Sequence, residues 1–107
     1  MADITIKRND QLPSVRATLY DPNGAIDLTD TSVRFRFRSR AKRTLIISGD
    51  CSIDSPQTAG KVTYSWRPAD TAVAGLYDAE FEITKDGQKI TCPNTGMLSL
   101  EIVQSNG

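Results

Sequence analysis

Apolar and polar residues alternate along most of this chain, most clearly in residues 60–66 and 75–84. Side chains point to opposite faces at successive positions of a β-strand, so this alternation predicts strands with one buried face. The segment 32–39 shows the same pattern. We expect the apolar positions of these segments, with one from a later strand, to form one core: Val33, Phe35, Phe37, Val62, Tyr64, Trp66, Tyr77, Phe81, Ile83 and Leu100.

Clusters of glycine, proline, asparagine and aspartate separate these segments from others of the same kind. The pattern predicts an all-β fold, a single immunoglobulin-like antiparallel β-sandwich of about seven to nine short strands. A small closed barrel is the alternative. One helical turn is expected near residues 68–72. The predicted strands are 3–7, 13–20, 32–39, 44–48, 51–53, 60–66, 75–84, 89–92 and 97–103, with Gly49-Asp50 ending the fourth.

Turn residues support this order of strands. Asp21-Pro22-Asn23-Gly24 combines a proline that presets φ with an Asn-Gly pair that tolerates positive φ. Asp86-Gly87 predicts a hairpin turn. Gly75-Leu76-Tyr77 is typical of a tyrosine corner, in which the hydroxyl bonds back to upstream backbone. We therefore favour a structural role for Tyr77 over a ligand contact.

Length and charge narrow the class of protein. A chain of 107 residues predicts one domain, residues 1–107. Lys plus Arg and Asp plus Glu both number 13, so no net field favours nucleic acid or an anionic membrane. No apolar run is long enough to span a bilayer. Residues 1–8 lack the basic and apolar regions of a secretory signal, which favours a cytosolic product.

The residue types that catalysis and metal binding need are scarce. The chain has no histidine, and its two cysteines, Cys51 and Cys92, lack a zinc-binding spacing. We expect two reduced thiols, with a bridge between the sheets as the alternative. The acid pairs are Asp27 with Asp30 and Asp50 with Asp54, and we interpret them as turn residues rather than calcium ligands. We predict a non-enzyme with no catalytic residue, no cofactor and no metal.

Two rows of opposite charge run along predicted strands at a spacing of two. The basic row is Arg34, Arg36 and Arg38, and the acidic row is Asp78, Glu80 and Glu82. The third and sixth strands of an immunoglobulin-like fold are neighbours, so the rows would form a cross-strand charge ladder on a solvent-facing sheet. A protein-docking surface and a nucleic-acid surface are the alternatives. No aromatic residue interleaves the basic row to stack on bases, which disfavours the last.

Several strand and turn segments resemble a module of tailed bacteriophages. They are Asp3–Asp10, Leu28-Thr29, Val33–Phe37, Gly60–Trp66, Asp70–Ala72, Gly75–Thr84, Asp86-Gly87 and Pro93–Gly96. Together they are similar to the N-terminal domain of the baseplate upper protein family and to small immunoglobulin-like virion proteins. The resemblance covers most of the chain and contains no catalytic signature.

This resemblance implies a structural virion protein, present in many copies and docked on the tail, baseplate or neck, with other virion proteins and further copies of itself as partners. It implies assembly in the host bacterial cytoplasm. The balanced charge and the lack of a long apolar run predict no nucleic-acid or membrane partner. Family members continue into host-binding segments, whereas Gly107 ends this chain, so we expect an adaptor or decoration piece. A capsid decoration protein and a free-standing carbohydrate or cell-surface binding module are the alternatives.

Overall fold

The structure is a computed structural model that describes residues 2–93 and 97–104. Residues 94–96, which form most of the connection between the predicted strands 89–92 and 97–103, lie outside the described residues. The described part contains eleven strands and one turn of 3₁₀ helix at Gln57–Ala59. The strands are β1 Ile4–Lys7, β2 Val15–Thr18, β3 Tyr20–Asp21, β4 Gly24–Ala25, β5 Ser32–Ser39, β6 Ile46–Asp50, β7 Ser52–Ile53, β8 Lys61–Tyr64, β9 Gly75–Lys85, β10 Gln88–Cys92 and β11 Leu98–Val103.

Two sheets pack as a sandwich. The large sheet has the order β1-β11-β9-β5-β6, with β10 also paired to β9, and the small sheet has the order β2-β8-β7. β3 and β4 form a separate hairpin around the turn predicted at Asp21–Gly24. The prediction of an all-β sandwich is confirmed. Three strands have only two residues, and the remaining eight agree with the predicted number of short strands.

One pairing departs from the antiparallel prediction. β1 pairs with β11 in parallel, with Ile4 opposite Leu100 and Lys7 opposite Val103. The alternation of residues in a single strand carries no information on the direction of its neighbour, so the sequence pattern missed this pairing. β1 buries Ile6 against the core from the edge of the large sheet.

β6 also differs from its prediction, because it continues through Gly49 and Asp50 instead of ending before them. Gly49 pairs with Phe35. A Cβ atom at Gly49 would lie 2.6 Å from the Tyr64 ring, so the missing side chain makes room for the tyrosine. The glycine therefore marks a close approach inside a strand rather than its end.

The helical turn expected near residues 68–72 is replaced by consecutive turns. The backbone N–H of Asp70 bonds to the Arg67 carbonyl at 3.0 Å, and that of Ala72 bonds to the Ala69 carbonyl at 3.3 Å. The Asp70 side chain also accepts the Arg67 N–H at 2.8 Å. This side-chain bond satisfies the Arg67 N–H within the turn itself, as is usual for aspartate in a turn.

Aromatic side chains fill the space between the sheets. Phe35 is 0% exposed, and its ring centroid lies 4.8 Å from that of Phe81 and 5.1 Å from that of Tyr64. Trp66 stands edge-on to it at 6.2 Å. The buried cluster includes all ten residues expected in the core: Val33, Phe35, Phe37, Val62, Tyr64, Trp66, Tyr77, Phe81, Ile83 and Leu100. With these side chains turned inward, alternation turns the charged residues of β5 and β9 outward.

Candidate interaction surface

The face of the large sheet that points away from the core, here called the outer face, carries the charge ladder. β5 and β9 pair over eight residues and place Arg34 opposite Glu82, Arg36 opposite Glu80 and Arg38 opposite Asp78. The alternating buried residues of both strands set this register, because a slip by one residue would turn each core side chain into solvent. The structure thus brings together all six residues of the ladder.

The ion pairs on this face do not follow the register row by row. Arg36 Nη1 lies 3.8 Å from a Glu80 oxygen and 3.5 Å from a Glu82 oxygen, so it bridges two rows. Arg34 pairs instead with Asp50 of β6, at 3.5 Å. Long side chains reach diagonal neighbours in a sheet as easily as direct ones.

Asp78 pairs with Arg40 instead of Arg38. Arg40 Nε donates to Asp78 Oδ1 at 2.8 Å, the shortest ion pair on the outer face within the described ranges. The Arg40 backbone N–H also bonds to the Leu76 carbonyl, which continues the β5–β9 pairing past the end of β5. The predicted ladder did not include Arg40. The spacing of the basic row could have identified it, because Arg40 is the next residue after Arg34, Arg36 and Arg38 at the spacing of two.

Arg38 differs from the other ladder residues in its ion pairs. Among the described residues it makes no ion pair, although it faces Asp78 in register. Its other neighbour is Ile46 of β6. Arg38 lines a small cleft of about 60 Å³ whose other outward-facing walls are Arg36, Ile46, Asp78, Glu80 and Met97. The cleft therefore combines charges of both signs with two exposed apolar walls, Ile46 and Met97.

Two exposed apolar side chains line this cleft and a third, Leu76, lies on the strand beside it. Ile46 is 51% exposed, Leu76 is 45% exposed and Met97 is 48% exposed. Leu76 lies on β9 two residues before Asp78, Ile46 lies beside Arg38, and Met97 directly precedes β11. Methionine and arginine are both enriched at protein interfaces. This half of the outer face is the strongest candidate site, and sequence alternation alone did not separate it from the polar half.

The other half of the outer face is polar. Lys89 on β10 lies 3.8 Å from Glu82, and Thr91 stands opposite Glu82 in register. Together with the Arg34–Asp50 pair, these residues mix both signs of charge along the sheet. The outer face thus contains a cleft with exposed apolar residues at one end and a network of ion pairs at the other.

Of the acids noted in the sequence, Asp27 and Asp54 accept nearby hydrogen bonds, whereas Asp50 ends strand β6 and is not the turn residue that was predicted. The Asp27 carboxylate accepts the backbone N–H of Thr29 at 3.0 Å and its hydroxyl at 2.6 Å. These two bonds lower the pKa of Asp27. Asp54 accepts the Thr63 hydroxyl at 3.1 Å. Within the described ranges, no three potential ligands come together as a metal site would require.

Both cysteines are free thiols in the structure. Cys51 lies where the chain crosses from the large sheet to the small one, and Cys92 ends β10. Burial raises the pKa of Cys51 to about 12, with a further contribution from the Asp50 charge. Burial likewise raises the pKa of Cys92. The thiolate is the reactive form, so burial disfavours the reactive form of both cysteines.

A buried polar cluster ties the connection between β8 and β9 to the core. Asp70 is 4% exposed and accepts hydrogen bonds from the Tyr64 hydroxyl and from the Arg67 backbone N–H. Burial and then the Asp70 carboxylate raise the pKa of Tyr64, which keeps the hydroxyl protonated as a donor. The Tyr77 hydroxyl donates to the Val73 carbonyl at 2.6 Å, the bond expected of a tyrosine corner. These groups fix the backbone that leads into the candidate site.

We predict that Arg36→Ala lowers the free energy of unfolding by only about 0–1 kcal/mol, because its side chain is 40% exposed and its ion pairs with Glu80 and Glu82 are long, at 3.8 and 3.5 Å. Urea unfolding at low and high salt would measure this loss. High salt should reduce the difference between the variant and the wild type, because it screens exposed charges. A salt-independent loss above about 2 kcal/mol would show that the ladder contributes more than exposed pairs do.

Within the described residues, no helix has the length and apolar character needed to cross a bilayer. No curated protein sequence matches the chain. The sequence does match the family described as the BppU N-terminal domain, over residues 1–106. This match agrees with the sandwich fold and with the resemblance noted from the strand and turn segments. The chain therefore belongs to the BppU N-terminal domain family, a family of phage baseplate proteins.

Proposed function

We propose that the chain is a non-enzymatic structural component of a tailed-phage virion, acting as one module over residues 1–107 and docking in many copies on proteins of the tail, baseplate or neck. The observation that carries this proposal is the family match over residues 1–106. In this proposal the protein assembles in the host bacterial cytoplasm and has other virion proteins as its partners, with neither nucleic acid nor membrane among them.

The outer face supports a role in protein contacts. It is broad, is formed by rigid paired strands, and combines arginine, methionine and aliphatic side chains around the cleft at Arg38. Residues placed on strands hold their positions better than residues on loops, which favours specific docking. The ladder residues Arg34, Arg36, Arg38, Asp78, Glu80 and Glu82 belong to this proposed surface.

Quantitative mass spectrometry of gradient-purified virions tests the proposal. We expect the protein at a constant ratio to known tail proteins and at several copies per tail, while non-structural phage proteins are lost during purification. Its absence from infectious, purified particles would contradict the proposed function. Electron microscopy of the same particles with a labelled chain would distinguish a position on the tail from capsid decoration.

A carbohydrate-binding module is the weaker candidate. Sugar platforms use exposed aromatic rings, which present an apolar face to the ligand. Among the described residues, Tyr20 is the only large exposed aromatic side chain, at 65% exposure, and the rings of the core are buried. The described surface thus offers one exposed ring in place of a platform.

A nucleic-acid role for the basic row is disfavoured by its acidic neighbours. Three carboxylates face the three arginines in register, and they reduce the positive potential that phosphate binding needs. We predict no appreciable DNA binding at physiological salt, measured by fluorescence anisotropy with a labelled duplex. Tight, salt-sensitive binding that disappears in the Arg34→Ala, Arg36→Ala, Arg38→Ala triple variant would overturn this prediction.

A further inference from the structure

The charges of the outer face are arranged so that two copies of the face can complement each other. The basic row lies on β5 and the acidic row lies on the adjacent β9, side by side and in register. When such a face is turned over about an axis that runs along the strands between β5 and β9, each row lies over the row of opposite sign. We propose that a second copy of this chain covers the outer face in this way.

The proposed contact is an isologous dimer, in which the same patch of each copy meets the other. Arg38 of one copy lies over Asp78 of the other, and the reverse contact forms at the same time. Arg36 likewise meets Glu80. Arg38, which has no ion pair among the described residues, gains a carboxylate in the dimer. Complementary charges across an interface fix its register more than they add affinity.

The apolar side chains follow the same symmetry. β6 lies beside β5, whereas β11 lies beside the first half of β9. Turning the face over therefore brings β6 of one copy over β11 of the other. Ile46, which stands beside Arg38, approaches the end of β11 where Met97 lies. Both side chains are about half exposed in the single copy, and the dimer removes them from water.

The strands beside the ladder extend this complementarity into the polar half. Asp50 stands beside Arg34 on β6, and Lys89 lies on β10 beside the second half of β9. The same rotation brings β6 of one copy over β10 of the other there, so that Asp50 approaches Lys89. Opposite charges thus meet along the full length of the face.

Charge also selects this orientation among the possible ones. A two-fold axis that runs across the strands would place arginines over arginines and carboxylates over carboxylates, which costs several kcal/mol in a contact. The size of the face is adequate. The rotation superposes four columns of strands, namely β6, β5, β9 and the column shared by β11 and β10. Spaced about 4.8 Å apart and about eight residues long, they give about 520 Å² per copy or about 1,000 Å² in total, the size of a weak interface.

This inference deepens the proposed function, because it names the partner that covers the same surface. Only the role of the dimer in the virion rests on the proposed function. Its test uses the purified chain and sedimentation velocity over a concentration series at low and physiological salt. We expect the wild type to dimerise. We expect Arg38→Glu and Asp78→Arg each to weaken dimerisation about tenfold or more, because each places like charges across the two-fold axis.

An equal mixture of the two variants is the decisive sample. In a mixed dimer, each replaced side chain meets a charge of opposite sign, so association should return to about the wild-type level. Arg16→Glu is the matched control, because Arg16 is exposed on β2 of the small sheet, away from the outer face. It should leave dimerisation unchanged. Thermal unfolding of every variant checks that each one is folded.

The possible outcomes distinguish the proposed dimer from the proposed function. A wild type that stays monomeric up to millimolar concentration at low salt would overturn the inference, as would a mixture that fails to associate although both variants are folded. If the chain is monomeric but Arg38→Glu reduces its incorporation into virions, a different virion protein covers the face, and the proposed function stands. If the chain dimerises but is absent from virions, the proposed function fails and the inference stands.

Discussion

Replacing Phe35 with alanine should lower the free energy of unfolding by about 3–5 kcal/mol. Phe35 is fully buried, and its ring lies within 6.2 Å of four other aromatic rings by centroid distance. The truncation removes the contacts of one ring and leaves a cavity between the two sheets, which rigid paired strands cannot close. Urea unfolding followed by tryptophan fluorescence measures the loss, with Trp66 as the probe.

Tyr20→Ala provides the matched control, because it also removes an aromatic ring but from an exposed position. We expect its effect to stay within about 0.5 kcal/mol. A loss below about 1 kcal/mol for Phe35→Ala would contradict the assignment of the inner face of β5 and, with it, the outward direction of the arginines.

Asp70→Ala should cost about 3 kcal/mol, the second largest effect. The substitution removes an acceptor that serves the Tyr64 hydroxyl and the Arg67 backbone N–H at once, and leaves the buried hydroxyl without its partner. It also removes the ion pair with the Arg67 side chain, at 3.3 Å. Chemical unfolding reports the loss, and proteolysis of the folded protein should show faster cleavage in the connection between β8 and β9.

The double variant with Tyr64→Phe tests the cause of this effect. If the unpaired hydroxyl accounts for part of the cost, Asp70→Ala should destabilise the Tyr64→Phe protein less than it destabilises the wild type. Asp50→Ala is the control for loss of a carboxylate, because the Asp50 side chain is 84% exposed and its one ion pair among the described residues is with Arg34, at 3.5 Å. Equal losses for Asp70→Ala and Asp50→Ala would show that the buried Asp70 contributes no more to the free energy of unfolding than an exposed carboxylate does.

The sequence predicted those features that depend on alternation within a strand. The bounds of β5 were predicted to the residue, because Val33, Phe35 and Phe37 alternate without interruption with arginines. The contact between the two charged rows followed from their common spacing and from the immunoglobulin-like order of strands. The hairpin turn at Asp86-Gly87 was equally clear from its residue types.

Features that depend on distant contacts were not predictable in this way. The continuation of β6 through Gly49 depends on the Tyr64 ring that occupies the space beside it. The pairing of Asp78 with Arg40 depends on side-chain reach past the end of β5. The exposed cluster of Ile46, Leu76 and Met97 joins residues from three separate segments, each of which looks ordinary by itself.

The parallel pairing of β1 with β11 also determines the order in which the chain can complete its fold during synthesis. Of the strands of this domain, β1 is made first and its partner β11 is made last. Until then β1 has no neighbour and Ile6 has no place in the core. Contacts between residues this far apart in sequence slow folding, and the unpaired edge of β9 stays open to other chains meanwhile. The nascent protein is therefore most vulnerable to aggregation just before its last strand emerges.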